Sequence, residues 1–260
     1  MKRTEGHIAV TGASAGIGLA IARAFAQKPN QLTVVARRRA PLEALAQEAL
    51  AAGVATFVAE SDMADLEHCC DWVDEAEARQ GPIDVLVLNA GVQKVGPALS
   101  FSVAETEAMM RVNVMAPLRL VRKVAPAMVA RGRGTIVVVA SVSGITYTPQ
   151  MADYSASKAA VSAFSETLSV ELKGTGVHVL TVYPGPIATD MEKAARANLV
   201  DGFLTRSIPM GTPEDLADQI QSAILKEAPR LVFPRVYGAT RFARVTSQWL
   251  TYRFAPRAKS

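Results

Sequence analysis

Short apolar, β-branched runs recur along the chain, and each is separated from the next by a stretch with the length and spacing of a helix. The runs are HIAV (7–10), QLTVVA (31–36), VATFVA (54–59), IDVLVL (83–88), GTIVVVA (134–140), VHVLTV (177–182) and RLVF (230–233). Continuously apolar strands that alternate with helices are typical of a parallel sheet covered on both faces. The pattern therefore predicts an α/β fold of the doubly wound Rossmann type, with a seven-stranded parallel sheet and helices on both faces.

Nothing along the chain indicates a second domain. The sequence has no internal repeat, low-complexity tract or proline-rich linker, so we expect one domain over residues 1–260. Helical spacing of apolar residues predicts two long helices, at about 103–131 and about 153–173. The first contains Pro117, whose nitrogen cannot donate to the carbonyl of Asn113 four residues earlier. We expect that carbonyl to be a free acceptor.

Composition is typical of a soluble globular protein from a reducing compartment. Of the residues, 50% are hydrophobic and 20% are charged, and the start MKRTEGHIAVTG lacks an apolar signal core. The longest apolar runs fall far short of the ~20 residues of a membrane helix. We therefore expect a cytoplasmic protein. Because the adjacent Cys69 and Cys70 and the scattered His7, His68 and His178 lack the spacing of metal ligands, we expect no metal site.

Positive charge is concentrated at the C-terminus. The net charge is +4, yet the residues after Pro229 contain seven Arg or Lys and no acidic residue. Residues 235–260 interleave aromatic side chains with arginines, and we interpret them as a basic amphipathic extension that packs on its own domain or on a partner subunit. Peripheral contact with an anionic membrane is the alternative. No recognition motif supports nucleic-acid binding.

A glycine-rich turn, TGASAGIG at 11–18, follows the first strand and opens a helix. Glycines at a strand-to-helix turn allow a diphosphate to approach the backbone, and the helix N-terminus offers unpaired N–H groups to it. Close packing of helix on strand is the alternative explanation for such glycines. The position in the first βα unit favours dinucleotide binding. The candidate contacts are Gly12, Ser14, Gly16, Ile17 and Gly18.

Three arginines follow the second strand. In dinucleotide-binding units an acidic residue there accepts hydrogen bonds from the ribose of NAD, but here the strand ends in Ala36 and is followed by Arg37, Arg38 and Arg39. The planar guanidinium group matches phosphate oxygens in bidentate geometry. We therefore predict that Arg37, assisted by Arg38 and with Ser14 nearby, binds the 2′-phosphate of NADP. Arg39 fits a solvated turn.

Tyr154 and Lys158 lie four residues apart at the start of the second long helix, and therefore on one face of it. A nearby ammonium would lower the pKa of the tyrosine towards that of a general acid/base. Ser141 ends the strand that precedes them, and Asn89-Ala90-Gly91 closes the strand before that one. Parallel strands present such residues at the same carboxyl edge of the sheet.

With these motifs the chain resembles the short-chain dehydrogenase/reductase family. The resemblance runs in family order from residue 7 to about 229, through TGASAGIG, Asp62, the NAG at 89–91, Asn113, Ser141, Tyr154, Lys158 and the Pro184-Gly185 turn with Thr189. It implies catalysis by Tyr154 as proton donor or acceptor, Ser141 as hydrogen-bond partner of the substrate oxygen, Lys158 as support for the tyrosine and the nicotinamide ribose, and Asn113 as holder of a relay water.

The resemblance also implies further cofactor contacts. On the adenine side these are Asp62 and Asn89, with Ala90 and Gly91 beside them, and on the nicotinamide side Pro184, Gly185, Ile187 and Thr189. Structural alternatives exist for three of the residues: Asp62 could cap a helix beginning near Asp65, Ser141 could only end a strand, and Asn113 could mark a helix kink.

By the same resemblance, residues 186–211 form a lid over the substrate that excludes water; an exposed insert without a catalytic role is the alternative. The candidate substrate contacts are Gln93, Val95, Ser143, Ile145, Met151 and Met191, together with Pro184. They are mostly apolar and uncharged, which predicts a moderately hydrophobic ketone, aldehyde or secondary alcohol as substrate.

The sequence thus predicts an NADP-dependent oxidoreductase, most naturally a carbonyl reductase. The resemblance implies that it assembles as a homodimer or homotetramer through its two long helices. One alternative is a dehydrogenase that oxidises a sterol or another lipid alcohol. The other is a non-catalytic redox sensor or scaffold that uses the dinucleotide fold.

Overall fold

A parallel sheet of seven strands organises the protein. The computed structural model describes residues 3–27, 29–146, 148–197 and 209–241. The strand order is β3-β2-β1-β4-β5-β6-β7, with every pairing parallel. The strands are His7–Thr11 (β1), Gln31–Ala36 (β2), Thr56–Glu60 (β3), Ile83–Leu88 (β4), Gly134–Val139 (β5), Val177–Pro184 (β6) and Arg230–Phe233 (β7). The predicted sheet is confirmed, and its order reverses between β1 and β4, which is where ligands bind in open α/β sheets.

Helices cover both faces of the sheet, as predicted. Among the described residues they are Gly16–Phe25 (α1), Arg39–Ala51 (α2), Trp72–Gln80 (α3), Val103–Met110 (α4), Ala116–Ala130 (α5), Ala152–Glu171 (α6), Asp190–Ala197 (α7) and Pro213–Leu225 (α8). Helices α1, α2 and α8 pack on one apolar cluster, and α3, α5 and α6 on another. Alternate residues of β1 point into the two clusters: Ile8 and Val10 into the first, Ala9 into the second.

The first of the two long helices is interrupted. Instead of one helix over 103–131, a π-helical turn at Arg111–Met115 separates α4 from α5. The N–H of Ala116 donates to the carbonyl of Arg111, five residues back. Pro117 lies in the first turn of α5, where its missing N–H is tolerated. The helix is thus widened locally in the turn that ends just before Pro117. The second long helix agrees with its predicted bounds to within two residues.

Two predicted segments lie partly outside the described residues. For the lid at 186–211, the structure describes the part that ends with α7 at Ala197 and the part from residue 209. For the extension at 235–260, it describes a 3₁₀ helix, Arg235–Arg241, and residues 242–260 lie outside. Within the described ranges, no helix is long and apolar enough to cross a membrane.

Candidate active site

A cavity of about 670 Å³ opens at the carboxyl edge of the sheet, where the strand order reverses. Its walls come from the glycine turn, the ends of β2, β4, β5 and β6, the start of α6, and α7. Most of the predicted cofactor residues line it together: Gly12, Ser14, Gly16, Ile17, Arg37, Arg38, Asp62, Asn89, Ala90, Gly91, Pro184, Gly185, Ile187 and Thr189, along with Tyr154 and Lys158. The sequence motifs therefore converge on a single depression.

The glycine turn is a close-packed cradle. Gly12 and Gly16 have φ of +70° and +53°, which glycine adopts without strain. Gly18 lies outside the cavity lining, and a Cβ on it would collide with the carbonyl oxygen of Gly12 and the Asn89 side chain. Packing, the alternative explanation for these glycines, thus accounts for Gly18. Asn89 Nδ2 donates to the carbonyl of Thr11 at 3.1 Å, so Asn89 also holds the turn in place.

The N-terminus of α1 suits a diphosphate. Its N-cap residue, Ala15, supplies no side-chain acceptor, and no acidic residue lies in the first turn. The helix N–H groups and dipole therefore face the cavity without competition from protein carboxylates. This is the arrangement that a dinucleotide needs, and the residues present fit one.

The arginines after β2 separate into two groups. Arg38 donates to Ser14 Oγ at 3.1 Å, and both Arg37 and Arg38 line the cavity from exposed positions. Arg39 instead pairs with Glu43 one turn along α2, at 2.7 Å. The structure therefore brings the predicted phosphate-binding residues together at the end of the cavity next to the glycine turn and leaves Arg39 out.

Asp62 lies in a turn rather than at a helix start. Its Oδ1 accepts from the N–H of Ala64 at 2.9 Å, and the helix expected near Asp65 begins instead at Trp72 as α3. Asp62 still lines the cavity.

Ser141, Tyr154 and Lys158 lie together in the middle of the cavity. Tyr154 and Lys158 are buried near the start of α6, and Ser141 lines the same cavity, where its hydroxyl acts to lower the pKa of Tyr154. Lys158 Nζ donates to the carbonyl of Val139 at 3.0 Å and lies 5.9 Å from the centre of the Tyr154 ring. Gly144, shortly after Ser141 in the chain, packs directly on the backbone of α6: a Cβ on Gly144 would lie 2.8 Å from the Lys158 carbonyl carbon.

Asn113 connects the site from behind. It is buried in the π-helical turn, and its Nδ2 donates to the carbonyl of Val92 and to Ser157 Oγ, both at 2.9 Å. Its Oδ1 accepts from the Val92 N–H at 2.8 Å. The side chain thus ties the loop after β4 to α6, and Asn113 as a whole lies outside the cavity lining.

Burial sets the protonation of the two titratable catalytic candidates. It raises the pKa of Tyr154 to about 12; the nearby Ser141 hydroxyl acts to lower this pKa and the charge of Glu192 acts to raise it. Burial also lowers the pKa of Lys158 to about 8. The expectation that Lys158 lowers the pKa of Tyr154 is therefore wrong for this structure, because desolvation of the phenolate outweighs the distant ammonium.

The substrate end differs in part from the prediction. Gln93, Ser143, Met151, Met191 and Pro184 line the cavity, but Val95 and Ile145 do not. Val95 packs against the apolar cluster of Met109, Met151 and Tyr154, and Ile145 packs on the second core cluster. Both are partly buried and pack against these clusters rather than line the cavity, an arrangement that loop sequences do not reveal.

Sequence analysis also missed several lining residues: Thr146, Thr148, Glu192, Arg196 and Tyr237. Glu192 Oε1 pairs with Arg196 Nε at 2.8 Å along α7, so the substrate end is not purely apolar. The four-residue spacing of Glu192 and Arg196 is typical of an ion pair on a helix surface, and it could have predicted this pair from the sequence. Nothing local to Tyr237 indicates that it reaches the site.

Comparison with known proteins agrees with this geometry. The family model for short chain dehydrogenases matches residues 6–199. The galactitol 2-dehydrogenase (L-tagatose-forming) of Cereibacter sphaeroides is 39% identical over 85% of this chain and 87% of its own. A short-chain dehydrogenase from Sphingobium yanoikuyae, solved with NADPH, superposes with a TM-score of 0.80 at 28% identity over 98% of both chains. An alcohol dehydrogenase of Thermococcus sibiricus, solved with 5-hydroxy-NADP, gives 0.77 at 26% identity over 90% of this chain and 97% of its own. The chain belongs to the short-chain dehydrogenase family of oxidoreductases.

Proposed function

We propose that this protein is an NADP(H)-dependent carbonyl reductase for moderately hydrophobic ketones or aldehydes, and that it also runs the reverse oxidation of secondary alcohols. The observation that carries the proposal is the grouping of buried Ser141, Tyr154 and Lys158 in one cavity that continues to an uncapped helix N-terminus. A sensor or scaffold would have no use for such an acid/base group.

In this proposal, the nicotinamide ring supplies the hydride when NADPH is bound. Tyr154 carries the proton that the substrate oxygen receives, and Ser141 hydrogen-bonds the same oxygen and so fixes its distance from the tyrosine. Because burial raises the pKa of Tyr154 to about 12, its hydroxyl stays protonated at neutral pH, which favours the role of acid in carbonyl reduction. Lys158 and the main-chain carbonyl of Asn113 would resupply the proton through water.

The cofactor contacts stay as predicted from the sequence, with one change. The glycine turn, Asp62, Asn89 to Gly91 and the residues from Pro184 to Thr189 would hold the dinucleotide, while Gly18 acts through packing. Arg37 and Arg38 would bind the 2′-phosphate and so select NADP over NAD. Support comes from the Arg38–Ser14 hydrogen bond and from the NADP-type ligands of the two solved relatives.

A fluorescence titration with NADPH and NADH tests the selection. We expect Arg37→Ala to weaken NADPH binding about tenfold or more, as loss of a charge-assisted contact does, and to leave NADH binding nearly unchanged. Arg39→Ala is the matched control and should bind NADPH as wild type does, because Arg39 pairs with Glu43. Equal affinity of the wild type for both cofactors would refute the selection.

Replacing Tyr154 by Phe tests the chemistry. We expect turnover of a ketone with NADPH to fall by at least about 10²-fold, since positioned acid/base catalysis contributes that much. The dissociation constant for NADPH should stay within about twofold of wild type, since the phenyl ring remains in place. Retained turnover would show that another group donates the proton. A homodimer or homotetramer and a cytoplasmic location remain predictions, and light scattering after size exclusion decides the first.

A further inference from the structure

The 3₁₀ helix after β7 delivers one aromatic side chain to the active-site cavity. Tyr237 is the lining residue that comes from Arg235–Arg241, and the family model ends long before it, at residue 199. Its ring also packs against the second core cluster beneath the sheet. The ring is therefore part of the cavity wall and is supported from behind.

Two neighbours fix the position of this ring. A Cβ on Gly185 would lie 2.8 Å from Tyr237 Cδ2 and Cε2, so this edge of the ring packs directly against Gly185 and leaves no room for a side chain there. At its other end, the hydroxyl of Tyr237 donates to the carbonyl of Pro209 at 3.0 Å. A ring held at both ends cannot easily swing away from a ligand.

The ring shares the cavity wall with the reacting groups. Tyr237 lines the same cavity as Ser141 and Tyr154, and as the ion pair that Glu192 and Arg196 form on α7. Met191, a predicted substrate contact, lies on the same helix and lines the cavity too. The ring is therefore placed to contact a ligand that occupies this cavity.

We propose that Tyr237 is a specificity-determining residue: its ring forms the wall that limits the size of the carbonyl substrate, and its hydroxyl, bound to Pro209, holds that wall in place. The inference rests on the proposed function. Tyr237 follows the last strand, β7, whereas Ser141, Tyr154 and Lys158 lie between β5 and β6 along the chain.

Substitutions that shrink and enlarge the side chain test the proposal. For a small cyclic ketone and an aryl ketone with saturating NADPH, we expect Tyr237→Ala to raise the ratio of kcat/KM for the bulky over the small substrate by about tenfold, because pocket volume discriminates by that order. Tyr237→Trp should lower the same ratio. Tyr237→Phe keeps the ring and loses only the hydroxyl, so it should keep the ratio and raise KM a few-fold while kcat changes little.

Val236→Ala, on the exposed neighbour in the same 3₁₀ helix, is the matched control and should leave both substrates unchanged. A purely structural role would lower both activities together and would not move the ratio in opposite directions for Ala and Trp. An unchanged ratio in both variants, or the same change in Val236→Ala, would overturn the inference.

Calorimetric binding of the same two ketones separates this inference from the proposed function. If wild type turns over neither ketone but the affinity ratio still shifts with the size of residue 237, only the proposed reaction fails. An affinity ratio that does not respond to the substitutions, or no binding of either ketone, would overturn the role of Tyr237.

Discussion

The buried ammonium of Lys158 should cost the protein stability, and Lys158→Met measures how much. Burial lowers the pKa of Lys158 from 10.5 to about 8. The drop corresponds to roughly 3 kcal/mol against the charged form at neutral pH. Methionine keeps most of the apolar length but loses the hydrogen bond from Nζ to the Val139 carbonyl, which costs about 1–2 kcal/mol. The free energy of unfolding of Lys158→Met should therefore exceed that of wild type by about 1–2 kcal/mol at neutral pH, while turnover is lost.

Urea unfolding across a pH series is the decisive assay. Between pH 8 and 10.5 an unfolded lysine keeps the proton that the folded lysine releases, so the unfolded state binds more protons and wild-type stability rises with pH. Lys158→Met lacks this dependence. Its advantage should be complete below pH 8 and vanish at about pH 9.5, and above that pH the lost hydrogen bond should make Lys158→Met the less stable protein. Tyr154 is present in both proteins, so its own titration cancels in the difference.

Lys173→Met is the control, since this lysine is exposed just beyond the end of α6 and should change stability by less than about 0.5 kcal/mol at any pH. The reasoning is refuted if Lys158→Met is less stable than wild type at pH 7. It is also refuted if the advantage is the same at pH 7 and pH 10, because the buried charge would then not be its source.

Two further predictions concern the turn and α7. Gly18→Ala places a methyl group against the carbonyl oxygen of Gly12, so we expect NADPH affinity to fall at least about tenfold in a fluorescence titration, whereas Gly238→Ala, with open space around it, should bind normally. Glu192→Gln removes a charge that raises the pKa of Tyr154; the alkaline limb of a kcat/KM profile should therefore move to lower pH, and a move to higher pH would contradict that role.

The sheet and the catalytic residues were predictable because their signals are local. Each strand is a continuous apolar run, and the ends of parallel strands must meet at one edge, which was enough to bring Ser141 and the loop from Asn89 to the same crevice. The four-residue spacing of Tyr154 and Lys158 was enough to predict that both lie on one face of a helix. The interruption at Asn113 was predicted only in part: the sequence shows that Pro117 lacks an N–H, but it does not show the π-helical turn at Arg111–Met115.

The substrate end was less predictable because it is assembled from loops and distant segments. Val95 and Ile145 are apolar and near the motifs, yet in the folded chain both pack against apolar clusters and neither lines the cavity. The predicted direction of the pKa shift of Tyr154 was wrong for the same reason. Sequence spacing shows the lysine beside the tyrosine, but only the folded chain shows how completely the phenol is desolvated. Burial is a property of the whole structure, and no pair of residues encodes it.

This division has a consequence for how the protein's specificity is encoded. The residues that would bind the dinucleotide and transfer the proton all lie within residues 6–199, the part that matches the family model. The wall residue Tyr237 lies beyond that part and reaches the cavity only because β7 returns the chain to the carboxyl edge beside β6. Substitutions at Ser141 should therefore slow every substrate alike, since they act on the common oxygen, whereas substitutions at Tyr237 should change which carbonyl is accepted.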